Sequence, residues 1–547
     1  MKLSPIRLKY LTFITALLLV ISGCQSGEQT STAKTEKEAT HGEPSQGGEL
    51  SYALATSPDT LDPHTSRLAV SVRVLRTMYD SLVVQLPDNT IQPWLATEWT
   101  VSPDRKSYTF KLREDVKFHD GTPFNAEAAK YNFDRIMDPK TKATNAFALL
   151  QPYSSSEVTG EYTIKVDLGT PSEAFLSNLS QALLGIISPT AAEKSGDQFG
   201  QAPVGTGPFK FIKWEENADI QVEKNPDYNW APVIVENKGQ AYLDKITFKI
   251  IPEEATRIGS VQSGQVLASE SIPPQNILSM KNDPNVQVLE VNTVGLPYTL
   301  FFNQRREPWN EEKARKAIQL AVDVDAIVKT LYLGTYERAW SPLTPGIFSY
   351  DKTLEKGLKP NLAKANKLLD ELGYVKGSDG IREKDGKKLT LQYVDGSPNR
   401  EKRNDIAVMV QQQLKKVGVK VEIELTNDIP TVIYTNADYD IHGNSQVNSD
   451  PDALRAIYQS LDPHSNLISL SGHTDKELTQ LLEQGAVEQD LTKREEIYKK
   501  VQHHIIDHAI IIPIYIFPYT VAADKTVKGL TFDPLGYPLF NGVSIEK

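Results

Sequence analysis

Cysteine is almost missing from this chain. Cys24 is the only one in 547 residues, so no internal disulfide forms, no thiolate cluster holds a metal, and no thiol nucleophile exists past that position. There is no Gly-x-Ser-x-Gly elbow, the commonest signature of a serine hydrolase. Basic excess is also lacking: 59 Lys and Arg stand against 70 Asp and Glu, for a formal net charge of −11. A nucleic-acid binder would carry a basic footprint, so no nucleic-acid partner is expected. Past residue 21 no apolar run reaches the ~18 residues that a second membrane span would need.

What is present begins at the N-terminus. Lys2, Arg7 and Lys9 make a basic n-region, and Tyr10 to Ile21 is an apolar run too short to stay in a bilayer. Ser22 and Gly23 then precede Cys24, an order that looks like a bacterial lipobox. Residues 1–23 are therefore expected to be a signal peptide. Cys24 is expected to carry lipid that holds the chain to a membrane, facing the extracytoplasmic side. Residues 24–48 are polar, cannot bury enough surface to repay ordering, and read as a flexible tether. The remainder, about 500 residues, is too long for one core and long enough for two or three domains.

The most informative stretch runs from Tyr108 to Ile136. Tyr108, Phe110 and Leu112 alternate with Thr109, Lys111 and Arg113, the period of a half-buried strand. Asp120-Gly121 supplies a turn. Asn125 stands where a helix N-cap belongs, ahead of Ala128, Ala129, Phe133 and Ile136. Helix-like Val70 to Val83 precedes this stretch. Further on, strand-like and helix-like segments alternate, as in an α/β lobe. Strands are expected at Val288–Val291 and Tyr298–Phe302, broken at Gly295-Leu296-Pro297. Thr474 with Glu477 and Thr492 with Glu495 read as capping boxes. The glycine-rich run Ala202 to Phe209 is not a phosphate cradle, because no Gly-Lys-Ser/Thr follows and Pro208 removes a donor; its glycines are expected to turn into a strand. His503, His504 and His508 lack the glutamate of a metalloprotease motif and read as a solvated helix face.

The string Tyr108–Ile136, the ordered run Leu61 to Pro139, Asn225-Pro226-Asp227-Tyr228 and Asp450-Pro451 together resemble the extracellular solute-binding proteins of the peptide/nickel family, which feed ABC importers. The resemblance implies an α/β, two-lobed periplasmic-binding-protein-like fold with discontinuous lobes joined by a hinge. Lobe I would span 49–292 with an extra subdomain, lobe II 293–512, and residues 513–547 would return to lobe I. It implies a monomeric binding lipoprotein, not an enzyme and without a cofactor, that captures a peptide or peptide-like solute for permease and ATPase subunits. A nickel or other metal–chelate ligand is the alternative within the family; a secreted hydrolase is the alternative outside it.

The same resemblance places the site in the loops of the second lobe. His442, Asn444, Ser445, Gln446, Asn448 and Asp450 stand there, with Arg67, Arg73 and Arg455 as partners for a carboxylate. Peptide-binding members carry an aspartate, which pairs with the peptide's amino terminus, three positions before the Asp-Pro pair; here that position is Val447. Nickel-binding members use a histidine shortly after the pair, and His464 lies near it, the expected metal ligand if that alternative holds. Leucines near Leu183 occupy the approximate place of those members' arginine.

Overall fold

The computed structural model describes residues 43–397, 399–459, 471–472 and 475–546. The expected signal peptide, Cys24, the tether as far as residue 42, and His464 lie outside the described residues. From Pro44 onward the chain is one unit. Gly47 N–H donates to the Tyr242 carbonyl at 2.8 Å, and Gly48 N–H to Asp244 Oδ2 at 3.1 Å. The fold therefore starts slightly ahead of Glu49, where the sequence placed it.

Two sheets organise that unit. In the first, the strand order is Val286–Asn292, Pro518–Asp524, Ala268–Glu270, Glu49–Leu54, Lys245–Ile250, Asp219–Lys224 and Phe209–Glu215. In the second it is Glu337–Arg338, Ile511–Ile516, Gly295–Phe302, Ile441–Val447, Thr390–Gly396 and Lys420–Thr426. Each has its own apolar core, around Tyr52, Phe248 and Phe540 in the first and Trp309, Leu391 and Tyr393 in the second. Helices pack beside both sheets, so the fold is α/β and two-lobed, with a first lobe built from both ends of the unit.

The stretch 108–136 supplies one strand of a separate four-stranded antiparallel sheet, completed by Ala96–Val101, Thr163–Leu168 and Tyr153–Gly160, and the helix that covers it. Strand Ser107–Leu112 buries Tyr108, Phe110 and Leu112 and exposes Lys111. Gly121 turns with φ 84°, a conformation glycine adopts without a Cβ clash. Asn125 Oδ1 accepts from Ala128 N–H at 3.0 Å and starts helix Ala126–Met137, a cap of about 1 kcal/mol.

Several local expectations change. The helix expected over Val70–Val83 is Ala69–Met78, and Val83–Gln85 is a strand. The break between lobes falls at Thr293-Val294; Gly295, Leu296 and Pro297 lie inside the next strand, beside a register shift. The return falls at Phe517, not at 512/513, because strand Ile511–Ile516 stays in the second sheet. Its Pro513 pairs in register with Thr299 at an irregularity, where a strand tolerates a proline. Gly205 and Gly207 serve close approach rather than a turn: a Cβ on Gly205 would meet Met78 O at 2.1 Å, and one on Gly207 would meet Met78 C at 2.5 Å. The last long helix, Leu491–Asp507, is capped by Asp490, so Thr492 lies inside its first turn. Asp475 caps Lys476–Val487, and Thr474 lies outside the described residues.

Candidate functional site

A cavity of about 770 Å³ opens between the lobes, within the size range of small-molecule and peptide sites. Its first-lobe wall carries Arg67, Arg73, Asn178, Gln181 and Leu183; its second-lobe wall carries Arg400, Arg403, Ser445, Gln446, Val447 and Asn448. Thr293 and Phe517, at the two crossings, line it as well.

The second-lobe wall grows from strand Ile441–Val447. This strand pairs with Gly295–Phe302 along most of its length. Its other neighbour, Thr390–Gly396, pairs only at Tyr393↔Ile441 and Val394↔His442. From Gly443 to Val447 the strand therefore has a ladder partner on one side only, among the described residues. Glycine is required at 443, because a Cβ there would stand 1.9 Å from the Tyr298 hydroxyl.

Two clusters of arginine, glutamate and tyrosine flank the return crossing. On the first lobe, Arg73 Nη1 donates to Glu270 Oε1 at 3.0 Å and its guanidinium lies 4.5 Å from the Tyr519 ring centroid. Tyr519 donates to Glu270 Oε2 at 2.7 Å, and its hydroxyl lies 2.7 Å from that of Tyr52. Burial alone would weaken the Arg73 charge, but the Glu270 carboxylate outweighs it and holds the pKa above the ordinary arginine value. On the second lobe, Arg403 Nη2 donates to Glu401 Oε2 at 2.7 Å and to Ser445 Oγ at 3.1 Å. Its guanidinium lies 4.5 Å from the Tyr298 ring centroid. Tyr515 donates to Glu401 Oε2 at 2.8 Å. Arg400 Nε reaches Glu401 Oε1 at 3.1 Å. Burial would raise the Glu401 carboxyl; Arg400 and then Arg403 outweigh it and hold it at about 2. Glu401 and Lys402 both sit in the left-handed region, with φ 55° and 60°. Such positions cost about 1–3 kcal/mol each and persist only where their surroundings fix them.

The expected site residues divide. Arg67 is exposed on the rim and donates to Thr144 Oγ1 at 3.2 Å. Arg73, Gln446, Asn448 and Asp450 line the cavity. Asp450, however, is consumed internally: Arg494 grips both its oxygens, at 2.7 and 3.0 Å. Arg455 likewise grips Asp452, at 2.8 and 2.6 Å. Asn444 is half-buried opposite Thr299 and stands outside the cavity lining. His442 is a correction. It is 3 % exposed, its Nδ1 lies 3.1 Å from the Val394 carbonyl, and it does not line the cavity. It shares a strand face with Gln446 but sits at the end that the neighbouring strand covers, and burial lowers its pKa. The histidine helix also differs from a solvated face. His504 is buried, its ring 4.3 Å from that of His508, and His508 Nδ1 meets Glu312 Oε2 at 2.7 Å.

Arg400, Glu401 and Arg403 were missed. Their signal was three cations, Arg400, Lys402 and Arg403, just past the carboxyl end of a parallel strand, where ligands of α/β sheets bind. Ser449 was missed too. First-lobe Gln181 Nε2 reaches its Oγ, and Gln85 Nε2 its carbonyl, both at 3.3 Å.

The chain matches the family described as bacterial extracellular solute-binding proteins, family 5 middle, over residues 90–466. It is 30% identical to heme-binding protein A of Haemophilus influenzae, over 99% of this chain and 100% of that protein. Among solved structures it resembles DppA of Helicobacter pylori, an ABC transporter-associated periplasmic binding protein in complex with the peptide STSA, at 26% identity and TM-score 0.77, covering 92% of this chain and 99% of that one. It also resembles NikA of Brucella suis in complex with Fe(III)-EDTA, at 27% identity and TM-score 0.80, covering 91% and 100%. The chain belongs to family 5 of the bacterial extracellular solute-binding proteins, the binding components of ABC importers.

Proposed function

We propose that the protein captures a peptide or peptide-like solute in the interlobe cavity and delivers it to a membrane permease. One observation carries this reading. The half-paired strand segment Gly443–Val447 meets the cavity through Ser445, Gln446 and Val447. An extended peptide backbone completes such an edge with main-chain hydrogen bonds, while pockets read its side chains. The amides of Asn178, Gln181, Gln446 and Asn448 add uncharged donors and acceptors around it. Closure of the lobes on the solute, by bending at Thr293-Val294 and Phe517, would give the permease its signal.

The N-terminal pattern supports attachment through lipid on Cys24; the described residues contain no helix long and apolar enough to cross a membrane. Metabolic labelling with an alkynyl fatty acid should mark the wild type and not Cys24→Ala, and equal labelling would refute the anchor. The metal–chelate alternative rests on His464.

The test of the main reading is the thermal midpoint of the full chain in mild detergent, titrated with tetra-alanine, heme, Ni(II)-histidine or maltose. A ligand of the native state raises the midpoint as its concentration passes Kd. Tetra-alanine should do so. A response confined to Ni(II)-histidine or to heme would displace the peptide reading.

A further inference from the structure

The lobes also bond each other away from the crossings, around Ser449 and Ala486. Ser449 is 2% exposed and does not line the cavity. Its hydroxyl accepts from Gln181 Nε2 at 3.3 Å and donates to the Ser177 carbonyl at 3.5 Å, and its carbonyl accepts from Gln85 Nε2 at 3.3 Å. Ala486 lies in the last turn of helix Lys476–Val487, where carbonyls have no partner within the helix. The Gln484 carbonyl takes the Glu488 N–H at 3.0 Å, and the Gly485 carbonyl takes Arg494 Nε at 2.9 Å. The Ala486 carbonyl takes an N–H from the other lobe, that of Glu173, at 3.2 Å. Arg105 Nη2 holds the Glu173 carboxylate at 2.7 Å.

Arg494 joins the two points. Its side chain is 3% exposed and grips both Asp450, next to Ser449, and the Gly485 carbonyl, next to Ala486. On the other side of Ser449, Asn448 N–H donates to the Val294 carbonyl at 3.0 Å. The second lobe therefore presents both points on a fixed face. We propose that Ser449 and the Ala486 carbonyl form a latch, positioned by the Asp450–Arg494 pair, that keeps the lobes together and gates the passage of the solute without selecting it. From the reading above this takes only that the lobes part to admit a solute. Of the first-lobe groups in these bonds only Gln181 lines the cavity, so the latch forms whatever the guest's chemistry. Its bonds to Ser449 and Ala486 are neutral and are exchanged for bonds to water when the lobes part, so it is weak enough to open. A solute enters and leaves through the parted state. Loosening the latch therefore speeds both steps by one factor and leaves their ratio, Kd, unchanged.

The experiment is amide hydrogen exchange of the full chain in mild detergent, without solute, read at Glu173. Ser449→Ala should speed exchange there about two- to threefold, the loss expected for weak hydrogen bonds. The rate should hardly change in low urea, because parting the lobes exposes less surface than unfolding does. Gln181→Ala should act in the same direction, and the double variant by less than the product of the two. Stopped-flow mixing with tetra-alanine should then show association and dissociation both faster in Ser449→Ala by that factor, with Kd unchanged. An unchanged rate at Glu173 in both single variants overturns the latch, as does a urea dependence as steep as that of unfolding. A weaker Kd with unaltered association overturns it as well, because Ser449 then acts on the guest. If tetra-alanine does not bind, the peptide reading falls and exchange at Glu173 alone decides the latch.

Discussion

The two clusters beside Phe517 contain the same residue types and do different things. Arg73, Glu270, Tyr519 and Tyr52 face Arg403, Glu401, Tyr515 and Tyr298 across the crossing, and each arginine lies 4.5 Å from a tyrosine ring. In the first lobe one carboxylate serves one arginine; the Glu270 side chain is 0% exposed and is closed in by Tyr519 and by the Ala55 N–H at 3.2 Å. In the second lobe one carboxylate serves two arginines and rides on left-handed backbone. The first cluster is a finished piece of scaffold. Both line the cavity, but the second shares one carboxylate between two arginines, rides on strained backbone and exposes Arg400, which is how a site that must meet a guest differs from one that must only hold a fold.

That contrast can be broken by substitution. Removing one partner of a buried ion pair strands the other, so Glu270→Gln should cost about 3–5 kcal/mol in urea unfolding. Glu401→Gln should cost less, about 2–3 kcal/mol, because Arg400, one of its two arginines, reaches water. Equal losses would mean that the two clusters are equivalent scaffolds.

Acid sharpens it. The Glu401 carboxyl is held at about 2, against an ordinary 4.5. A depressed carboxyl adds stability that is complete above its unfolded value and is lost as pH falls through the folded one. The wild type should therefore lose about 3 kcal/mol between pH 4.5 and 2 from this group alone. The stability difference between wild type and Glu401→Gln should shrink over the same window, and a pH-independent difference would contradict the assignment.

Smaller effects concern the surface of the contrast. Arg400→Ala should cost up to about 1 kcal/mol in unfolding stability at neutral pH, because Arg400 is the first of the two cations that hold Glu401 ionised and its exposure screens the pair. Ser449→Ala removes two weak bonds between the lobes, one accepted from Gln181 at 3.3 Å and one donated to the Ser177 carbonyl at 3.5 Å. It should cost about 0.5 kcal/mol in stability and raise the open fraction seen by small-angle scattering of the ligand-free protein.

Where local pattern decides structure, the sequence was readable. Tyr108, Phe110 and Leu112 alternate because one face of their strand is buried, and Asn125 caps because the first helical N–H groups need an acceptor. The two-lobed fold followed from the string that carries these residues. Relations across long separations were not readable. Arg494 claims Asp450 from 44 residues away, so an aspartate that looked available to a ligand is structural. His442 shows the same limit: strand periodicity gives its face, but only the pairing with Thr390–Gly396 says that this end of the face is covered. Glu401 lies in the connection between strand and helix and Arg403 is the first residue of helix Arg403–Lys415, where no period exists to mark them.

The central claim is that a peptide backbone completes the half-paired strand at the cavity. Amide hydrogen exchange of the full chain, with and without saturating tetra-alanine, tests it most directly. The account predicts slowed exchange within Gly443–Val447 on binding, with the already paired end at Ile441–His442 unchanged. Peptide binding that leaves Gly443–Val447 exchanging at the ligand-free rate would contradict it.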